Sequence, residues 1–299
     1  MNGIFVGVNV GGTRTTAVVG NATGVLSRAS GPGAAMRPGR ASQCAATIAD
    51  VARKALAGAG ELTAEAIMVG AAGAGREGER MALLEAIRNE AVAERAGVTT
   101  DIEIALVAAF PDRPGIVVNA GTGSIALARD PQGKTHRAGG YGWQMGDEGS
   151  GYAIGRAAMS AVSRAHDGRG PATKLTLRVM AAAKASSFDQ FVSWGTTATP
   201  ADVAALAPGV IEMAGLGDQV AQGIVDYAVR ELVLLVTALQ PHAGPAPNHV
   251  ALAGGLLAAE GLLRPHIVAK LKETRGVVVD EHEVDAGEGA LVLARGLKG

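Results

Sequence analysis

Three short glycine-rich segments, each directly after an apolar and strand-like segment, are the first feature of this sequence that could do chemistry. Backbone N–H groups in a turn without bulky side chains can converge on a phosphate, and a threonine or serine hydroxyl adds a further donor. None of the segments has the Gly-x-x-x-x-Gly-Lys-Ser/Thr spacing of a P-loop. One such turn could simply join two strands, but the set of them indicates phosphate binding. The segments are Gly11, Gly12, Thr13 and Arg14; Gly121, Thr122, Gly123 and Ser124; and Gly254 and Gly255.

Three acidic side chains in two further segments could complete a phosphoryl-transfer site, in which a carboxylate accepts the proton of the attacking hydroxyl group. Asp101 follows a strand-like segment at 97–100 and precedes an apolar helical segment at 102–109. It could be this base, or it could be the N-cap of the helix. Asp147 and Glu148 lie where the next helix is predicted to begin. They could bind sugar hydroxyls, stabilise the helix N-terminus, or do both.

The elements that must position these residues repeat along the chain. The order strand, Gly-Thr turn, strand, hairpin, strand occurs twice, which predicts an internal duplication of a ligand-binding unit. Helical periodicity fills the remaining segments, so the predicted fold class is α/β with mixed sheets. The predicted strands are 4–10, 15–19, 25–29, 115–119, 125–129, 134–138 and 249–253. The predicted helices are 42–57, 80–96, 102–109, 148–164, 172–184, 201–214, 218–239, a helix opened by Gly254 and Gly255, and 287–297.

The length of 299 residues favours two domains. The segment 111–115 is the expected crossing between them, which gives domains of 1–114 and 115–286. The last helical segment is too short to stand alone, so we expect 287–299 to pack back on the first domain.

The composition excludes several classes of protein. The chain has 27 basic and 28 acidic residues and a net charge of -1, which favours neither nucleic acid nor membrane partners. Its single cysteine, Cys44, rules out a disulfide scaffold and a cysteine-ligated cluster within one chain, and its apolar surroundings predict a core residue. No secretory signal is recognisable and no apolar run approaches about 20 residues, so a cytoplasmic protein is expected.

The segment 139–151 reads Gly-Gly-Tyr-Gly-Trp-Gln-Met-Gly-Asp-Glu-Gly-Ser-Gly. It resembles the corresponding block of the N-acetylglucosamine kinase-like branch of the BadF/BadG/BcrA/BcrD-type ATPase family, and segments 72–76 and 207–218 fit the same branch. The wider group is the actin, hexokinase and heat-shock chaperone superfamily. The resemblance implies two duplicated actin-like ATPase (ribonuclease H-like) domains with a nucleotide cleft between them. It also implies ATP with Mg²⁺, a small-molecule sugar substrate, and a homodimer without nucleic-acid or membrane partners.

The resemblance gives each candidate residue a role. It implies that Asp101 is the catalytic base, and that Asn9, at a position where relatives carry an acid, contacts the metal through water. It places Ala34 in a loop where relatives present an asparagine to the sugar. The residues implied to bind the sugar are Asp147, Glu148, Gly140, Trp143 and Ser124. Those implied to bind the nucleotide are Gly11, Gly12, Thr13 and Arg14 in the first turn, Gly121, Thr122 and Gly123 in the second, and Gly254 and Gly255 on the adenosine side.

The leading hypothesis is therefore an ATP-dependent kinase that phosphorylates a hexosamine, N-acetylglucosamine or glucosamine. One alternative is an ATPase that activates a partner reductase, although Cys44 does not match the position of a cluster ligand. Another is a regulator that binds sugar or nucleotide without catalysis. A DNA-binding helix-turn-helix ahead of the first strand is not expected, because that strand begins at Ile4.

Overall fold

The computed structural model describes residues 3–297, which divide into two compact units. Within the described residues, the first unit runs from residue 3 to Arg113 and from Val284 to residue 297. The second unit is Pro114–Glu283. Two chain crossings therefore connect the units, one at Arg113 and Pro114 and one at Glu283 and Val284.

Strands and helices alternate along most of the chain. The strands are β1 (Phe5–Val10), β2 (Arg14–Gly20), β3 (Val25–Pro32), β4 (Ala64–Ala71), β5 (Ala93–Thr99), β6 (Gly115–Ala120), β7 (Ser124–Arg129), β8 (Thr135–Gly139), β9 (Asn248–Ala253) and β10 (Val277–Val279). The helices are α1 (Ala41–Gly58), α2 (Glu77–Asn89), α3 (Asp101–Ala109), α4 (Gly151–His166), α5 (Leu175–Ala182), α6 (Phe188–Thr197), α7 (Pro200–Ala204), α8 (Ala207–Gly215), α9 (Gln219–Leu239), α10 (Arg264–Lys272) and α11 (Ala286–Arg295).

Each unit contains a five-stranded mixed sheet, and the two sheets share one topology. The first sheet has the order β3-β2-β1-β4-β5, and the second, read in the matching direction, has the order β8-β7-β6-β9-β10. In each sheet the first three strands form an antiparallel meander, the fourth pairs in parallel with the central strand, and the fifth pairs in parallel with the fourth. The predicted α/β fold with two duplicated halves is therefore confirmed.

The core of the first unit lies on both faces of its sheet. Val6, Val8 and Val10 of β1 are fully buried on the face covered by α1 and α2. On the other face, α3 and α11 pack against each other and against the sheet. The approach of α11 to β1 is close, because a Cβ at Gly7 would collide with the α11 backbone at Gly287 and Leu291. The C-terminal helix thus contributes to the first unit.

Helices also pack against the sheet of the second unit. Its core joins the buried residues of β6, β7 and β9 to the apolar faces of α4, α5, α8, α9 and α10. The long helix α9 buries one stripe, which includes Val225, Leu232 and Val236 at helical spacing. Within residues 3–297, no helix combines the length and the hydropathy needed to cross a lipid bilayer.

Several predicted elements differ from the structure. The predicted helix 80–96 is wrong in its second half, because α2 ends at Asn89 and residues 93–99 pair with β4 as β5. The strand β4 itself was not predicted, nor were β10 and α6. The predicted helix 201–214 divides into α7 and α8. Gly254 and Gly255 do not open a helix, since the next helix begins at Arg264.

Candidate active site

The first unit presents several candidate residues at one edge of its sheet. The strands β1, β4 and β5 run parallel, so their carboxyl ends meet at the same edge. The first glycine turn follows β1, a loop at 72–76 follows β4, and Asp101 follows β5. In open α/β sheets ligands bind outside the carboxyl ends of the strands. This edge is therefore the part of the unit best placed to bind a ligand.

The first glycine turn is tight and is supported by a loop distant in sequence. The N–H of Gly11 donates to the carbonyl of Arg14 (2.9 Å), which closes the turn. The N–H of Gly33 donates to Thr13 (3.1 Å) and the N–H of Ala34 donates to Gly11 (3.1 Å). A Cβ at Gly33 would collide with the carbonyl of Gly12, so a side chain there would displace the turn.

The loop that contains Ala34 has a structural use in this chain. The N–H of Ala34 donates to the carbonyl of Gly11 in the first glycine turn, and the carbonyl of Ala34 accepts a hydrogen bond from the Sγ of Cys44 at 2.7 Å. Two residues later, the N–H of Met36 donates to the carbonyl of Ala72 (2.8 Å). The loop thus connects the turn after β1 with the loop after β4. Cys44 is buried, and burial raises the pKa of its thiol to about 11, in agreement with the predicted core position.

Asp101 is the first residue of α3, but it does not cap this helix. The cap is Thr100, whose Oγ1 accepts from the N–H of Glu103 (3.3 Å), while the Glu103 carboxylate accepts from the N–H of Thr100 (3.1 Å). This is a reciprocal capping box. The hypothesis that Asp101 is the N-cap is therefore wrong, and its carboxylate is available for another role.

Burial raises the pKa of Asp101 from 3.8 to about 6. Hydrogen bonds from the backbone N–H groups of Asp101 and Ile102 oppose the shift, and the negative charge of Glu103 adds to it. As a whole residue, Asp101 is half-buried. A carboxylate with a pKa just below neutral pH is suited to general-base catalysis.

Asn9 lies near the carboxyl end of β1 and is half-buried. It alternates with Val8 and Val10, so its side chain lies on the face of the sheet that α3 and α11 cover. Asn9 and the helix that begins with Asp101 therefore share one face. Its neutral amide oxygen can accept a hydrogen bond from metal-bound water but supplies no charge. Such a neutral oxygen is suited to contact Mg²⁺ through water when the ion keeps several of its waters and is bound mainly by nucleotide phosphates.

The second unit repeats the arrangement of a glycine turn at the edge of parallel strands. The strands β6 and β9 are parallel, and the turns at Gly121 and Gly254 follow their carboxyl ends. Gly254 has a φ of +87°, and a Cβ there would lie 2.5 Å from the carbonyl oxygen of Ala120. Only glycine fits this backbone conformation and this close approach. The predicted second and third nucleotide turns are thus neighbours.

The second glycine turn is fastened to the segment that resembles the kinase branch. The N–H groups of Gly151 and Tyr152 donate to the carbonyls of Gly121 (2.8 Å) and Thr122 (3.2 Å). The hydroxyl of Ser124 is buried and donates to the carbonyl of Glu148 at 2.7 Å. Ser124 therefore holds this segment in place instead of presenting its hydroxyl to solvent.

Asp147 has an unusual backbone and a restrained carboxylate. Its φ of +62° is in the left-handed region, which is rare for residues other than glycine and indicates local strain. Its side chain accepts hydrogen bonds from the N–H groups of Ser124 and Gly142 and lies directly against Gly123. Burial nevertheless raises its pKa. The carboxylate is thus held against the second glycine turn, whereas the N-cap of α4 is Ser150.

The other predicted sugar-binding residues divide between two places. Gly140 packs against Ile125 on the inner side of the segment. Trp143 and Glu148 instead line a pocket of about 770 Å³ within the second unit, between α4 and α9. Sequence reasoning missed the other conspicuous side chains of this pocket, because the faces of α4 and α9 that line it are decided by how these two helices pack. They are Tyr152, Arg156, Ser160 and Tyr227.

Comparisons with known proteins agree with the fold and with the family that the sequence resembles. The BadF/BadG/BcrA/BcrD ATPase family matches residues 6–294. An N-acetylmuramic acid/N-acetylglucosamine kinase from Clostridium acetobutylicum is 36% identical over 176 residues, which cover 58% of this chain and 58% of that enzyme. An N-acetyl-D-glucosamine kinase from Dictyostelium discoideum is 28% identical over 295 residues, or 90% of each chain. The crystal structure of a candidate N-acetylglucosamine kinase from Chromobacterium violaceum superposes with a TM-score of 0.84 at 29% identity, covering 98% of this chain and 99% of that one.

Proposed function

We propose that this chain, which belongs to the BadF/BadG/BcrA/BcrD ATPase family, transfers the γ-phosphate of ATP to a hydroxyl group of a hexosamine. The observation that carries the proposal is Asp101: a carboxylate at the carboxyl end of a parallel strand, free of helix capping, with a pKa raised to about 6. The names of the relatives support N-acetylglucosamine or glucosamine as the sugar.

In the proposed reaction, Asp101 accepts the proton of the sugar hydroxyl as its oxygen attacks the γ-phosphorus. The new O–P bond forms while the bond between the γ-phosphorus and the β,γ-bridging oxygen breaks, so the products are a sugar phosphate and ADP. The proton then passes from Asp101 to water. The protein itself takes little part in the covalent chemistry of phosphoryl transfer. Most of the rate acceleration comes from positioning the reactants and from stabilising charge in the transition state.

The glycine turns are proposed to bind the nucleotide through their backbone N–H groups. These residues are Gly11, Gly12, Thr13 and Arg14, Gly121, Thr122 and Gly123, and Gly254 and Gly255. Mg²⁺, when bound, would neutralise charge on the phosphates, and Asn9 would contact it through water. Asp147, Glu148, Trp143 and Gly140 are proposed to bind the sugar. Ser124 is proposed to act indirectly, through the backbone of Glu148.

The test is an assay of ADP release with Mg-ATP over a panel of hexoses, hexosamines and N-acetylmuramic acid. We expect ADP formation that depends on a hexosamine, with a sugar phosphate as the second product by mass spectrometry. ADP formation without any sugar would favour the ATPase alternative. Nucleotide binding without turnover would favour a regulator.

We also propose, from the resemblance, that the protein is a homodimer. Light scattering should then give twice the mass of the chain.

A further inference from the structure

The corner between β5 and α3 is held by one side chain, Glu103. Its Oε2 accepts hydrogen bonds from the N–H of Thr100 (3.1 Å), from the Oγ1 of Thr100 (2.9 Å) and from the Oγ1 of Thr99. The N–H of Glu103 in turn donates to the Oγ1 of Thr100 at 3.3 Å. Glu103 thus fixes both residues that precede Asp101.

We propose that Glu103 is a positioning residue for the phosphoryl transfer, because it sets the orientation of Asp101 through Thr99 and Thr100. This inference rests on the proposed function. Asp101 stands between two anchored points, Thr100 before it and Glu103 after it, so its backbone has little freedom. A base that must meet a hydroxyl within hydrogen-bond distance depends on such restraint, since a misplacement of about 1 Å can cost about 10²-fold in rate.

Glu103 also sets the charge beside the base. Burial alone would raise the pKa of Glu103, but its hydrogen bonds with Thr99 and Thr100 outweigh burial and lower it. It is therefore ionised at the pH where Asp101 titrates, and its charge raises the pKa of Asp101.

Charged groups on the neighbouring elements act less directly on this corner. Arg80 of α2 acts electrostatically on Glu103. The charged groups of α11 have partners of their own: Asp285 and Glu288 pair with Arg28, and Arg295 donates to the carbonyl of Gly24. Glu103 is therefore the charge whose removal should move the titration of Asp101.

The chain contains a matched control for simple helix capping. At the start of α7, Thr199 and Asp202 form the same reciprocal box, with Asp202 accepting from the N–H (2.8 Å) and the Oγ1 (2.6 Å) of Thr199. No candidate catalytic residue lies on α7. Loss of a cap alone should therefore have the same effect at Asp202 as at Glu103, whereas loss of positioning should appear only at Glu103.

The experiment measures kcat, KM and the pH dependence of kcat/KM for Glu103→Gln, Glu103→Ala, Glu103→Asp and Asp202→Ala. Glu103→Gln keeps an acceptor but loses the charge, so the acid limb should move to lower pH by about 0.3–1 unit. Glu103→Ala should lower kcat by about 10- to 100-fold with KM values changed by less than about threefold. Glu103→Asp can rebuild the box, as Asp202 does, and should recover much of the lost kcat. Asp202→Ala should lower only the melting temperature.

The inference is overturned if Glu103→Ala resembles Asp202→Ala, with a lower melting temperature but an unchanged kcat and acid limb. Asp101→Asn, measured in the same assay, keeps this result separate from the proposed function. Near-normal turnover in Asp101→Asn would contradict Asp101 as the base and so the proposed function. Loss of turnover there, together with unaffected Glu103 variants, would contradict only the role of Glu103.

Discussion

At the scale of single residues, two carboxylates are held in surroundings that disfavour their charge. Burial raises the pKa of both Asp101 and Asp147, and Asp147 also has a left-handed backbone. Strain and desolvation of this kind destabilise the fold and persist where function requires them. A substitution that relieves the strain or the desolvation should therefore raise the stability of the protein and lower its activity.

Asp101→Asn should make the protein more stable at neutral pH and much less active. The folded-state pKa of about 6 exceeds the ordinary value of 3.8, so the favourable contribution of the protonated group is complete below pH 3.8 and is lost as the pH rises through 6. The variant should therefore gain about 1–3 kcal/mol of unfolding free energy at pH 8 and almost none at pH 4. Loss of the base should lower kcat by about 10²–10⁴-fold.

Urea unfolding at the two pH values and the kinase assay would check both parts of this prediction. Asp101→Ala should lose as much activity without the stability loss of a removed helix cap, because Thr100 is the cap. A stability loss of about 1 kcal/mol or more in either variant at pH 8 would contradict the expected effect of burial.

Asp147→Asn should weaken sugar binding without disturbing the backbone. Asparagine tolerates a positive φ, and its amide oxygen can still accept a hydrogen bond from a backbone N–H. Loss of the charge should raise the KM for the sugar by about 10- to 100-fold, as expected for a charge-assisted hydrogen bond. Lys184→Asn is the control, since Lys184 is another non-glycine residue with positive φ (+54°). An unchanged sugar KM would remove Asp147 from the sugar site.

At the scale of elements, the C-terminal helix α11 supports the helix that carries Asp101. It packs against α3 and β1, and the contact with α3 is so close that a Cβ at Gly289 would collide with the carbonyl of Ile104. The same Cβ would lie 2.9 Å from the N–H nitrogen of Ala108. These small residues let the backbones approach, so the position of α3 depends on a segment near the other end of the chain.

Gly289→Ala should therefore destabilise the first unit and impair catalysis together. Overpacking of a close contact typically costs about 1–3 kcal/mol, and a displaced α3 would move Asp101. The control is Gly296→Ala at the residue that directly follows α11, where a Cβ would lie 3.5 Å from its nearest neighbour, an ordinary contact. Denaturant unfolding and kcat would be measured for both. Wild-type stability in Gly289→Ala would contradict the close packing of α11 on α3.

At the scale of the whole molecule, the duplicated topology gives each unit a glycine turn at the edge of its parallel strands. A ligand that binds only the folded protein raises its unfolding free energy by about 2.7 kcal/mol at 100 times its Kd. Because both turns are proposed to bind the nucleotide, Mg-ATP should slow hydrogen exchange at 11–14 and at 121–124.

Gly121→Val should abolish this effect while leaving the fold intact. A Cβ at Gly121 would meet no atom of the described residues within 4 Å, so the side chain has room in the protein but would occupy the space proposed for a phosphate. Gly24→Val is the control, since a Cβ there is equally free among the described residues. Melting temperatures with and without Mg-ATP would be compared. A nucleotide-dependent shift preserved in Gly121→Val would exclude the second turn from phosphate binding.

Local signals in the sequence determined much of this protein. The Gly-Thr turns, the repeated order of strands and the junction before Asp101 are short-range patterns, which local propensity and periodicity determine. They sufficed to predict the α/β fold and the duplication. The segment 139–151 carried the resemblance to the kinase branch for the same reason, because its residues are consecutive.

The tertiary structure decided what depends on neighbours far apart in the chain. Residues 93–96 were predicted as the end of a helix but belong to β5, because β4 offers hydrogen-bond partners to this strand. By contrast, the capping box that makes Thr100 the cap of α3 joins residues only three positions apart and is a local pattern already present in the sequence. The first glycine turn is supported by Gly33 and Ala34, some twenty residues later. Backbone pairing, close packing and burial are properties of the assembled chain, so they appear only when its distant segments meet.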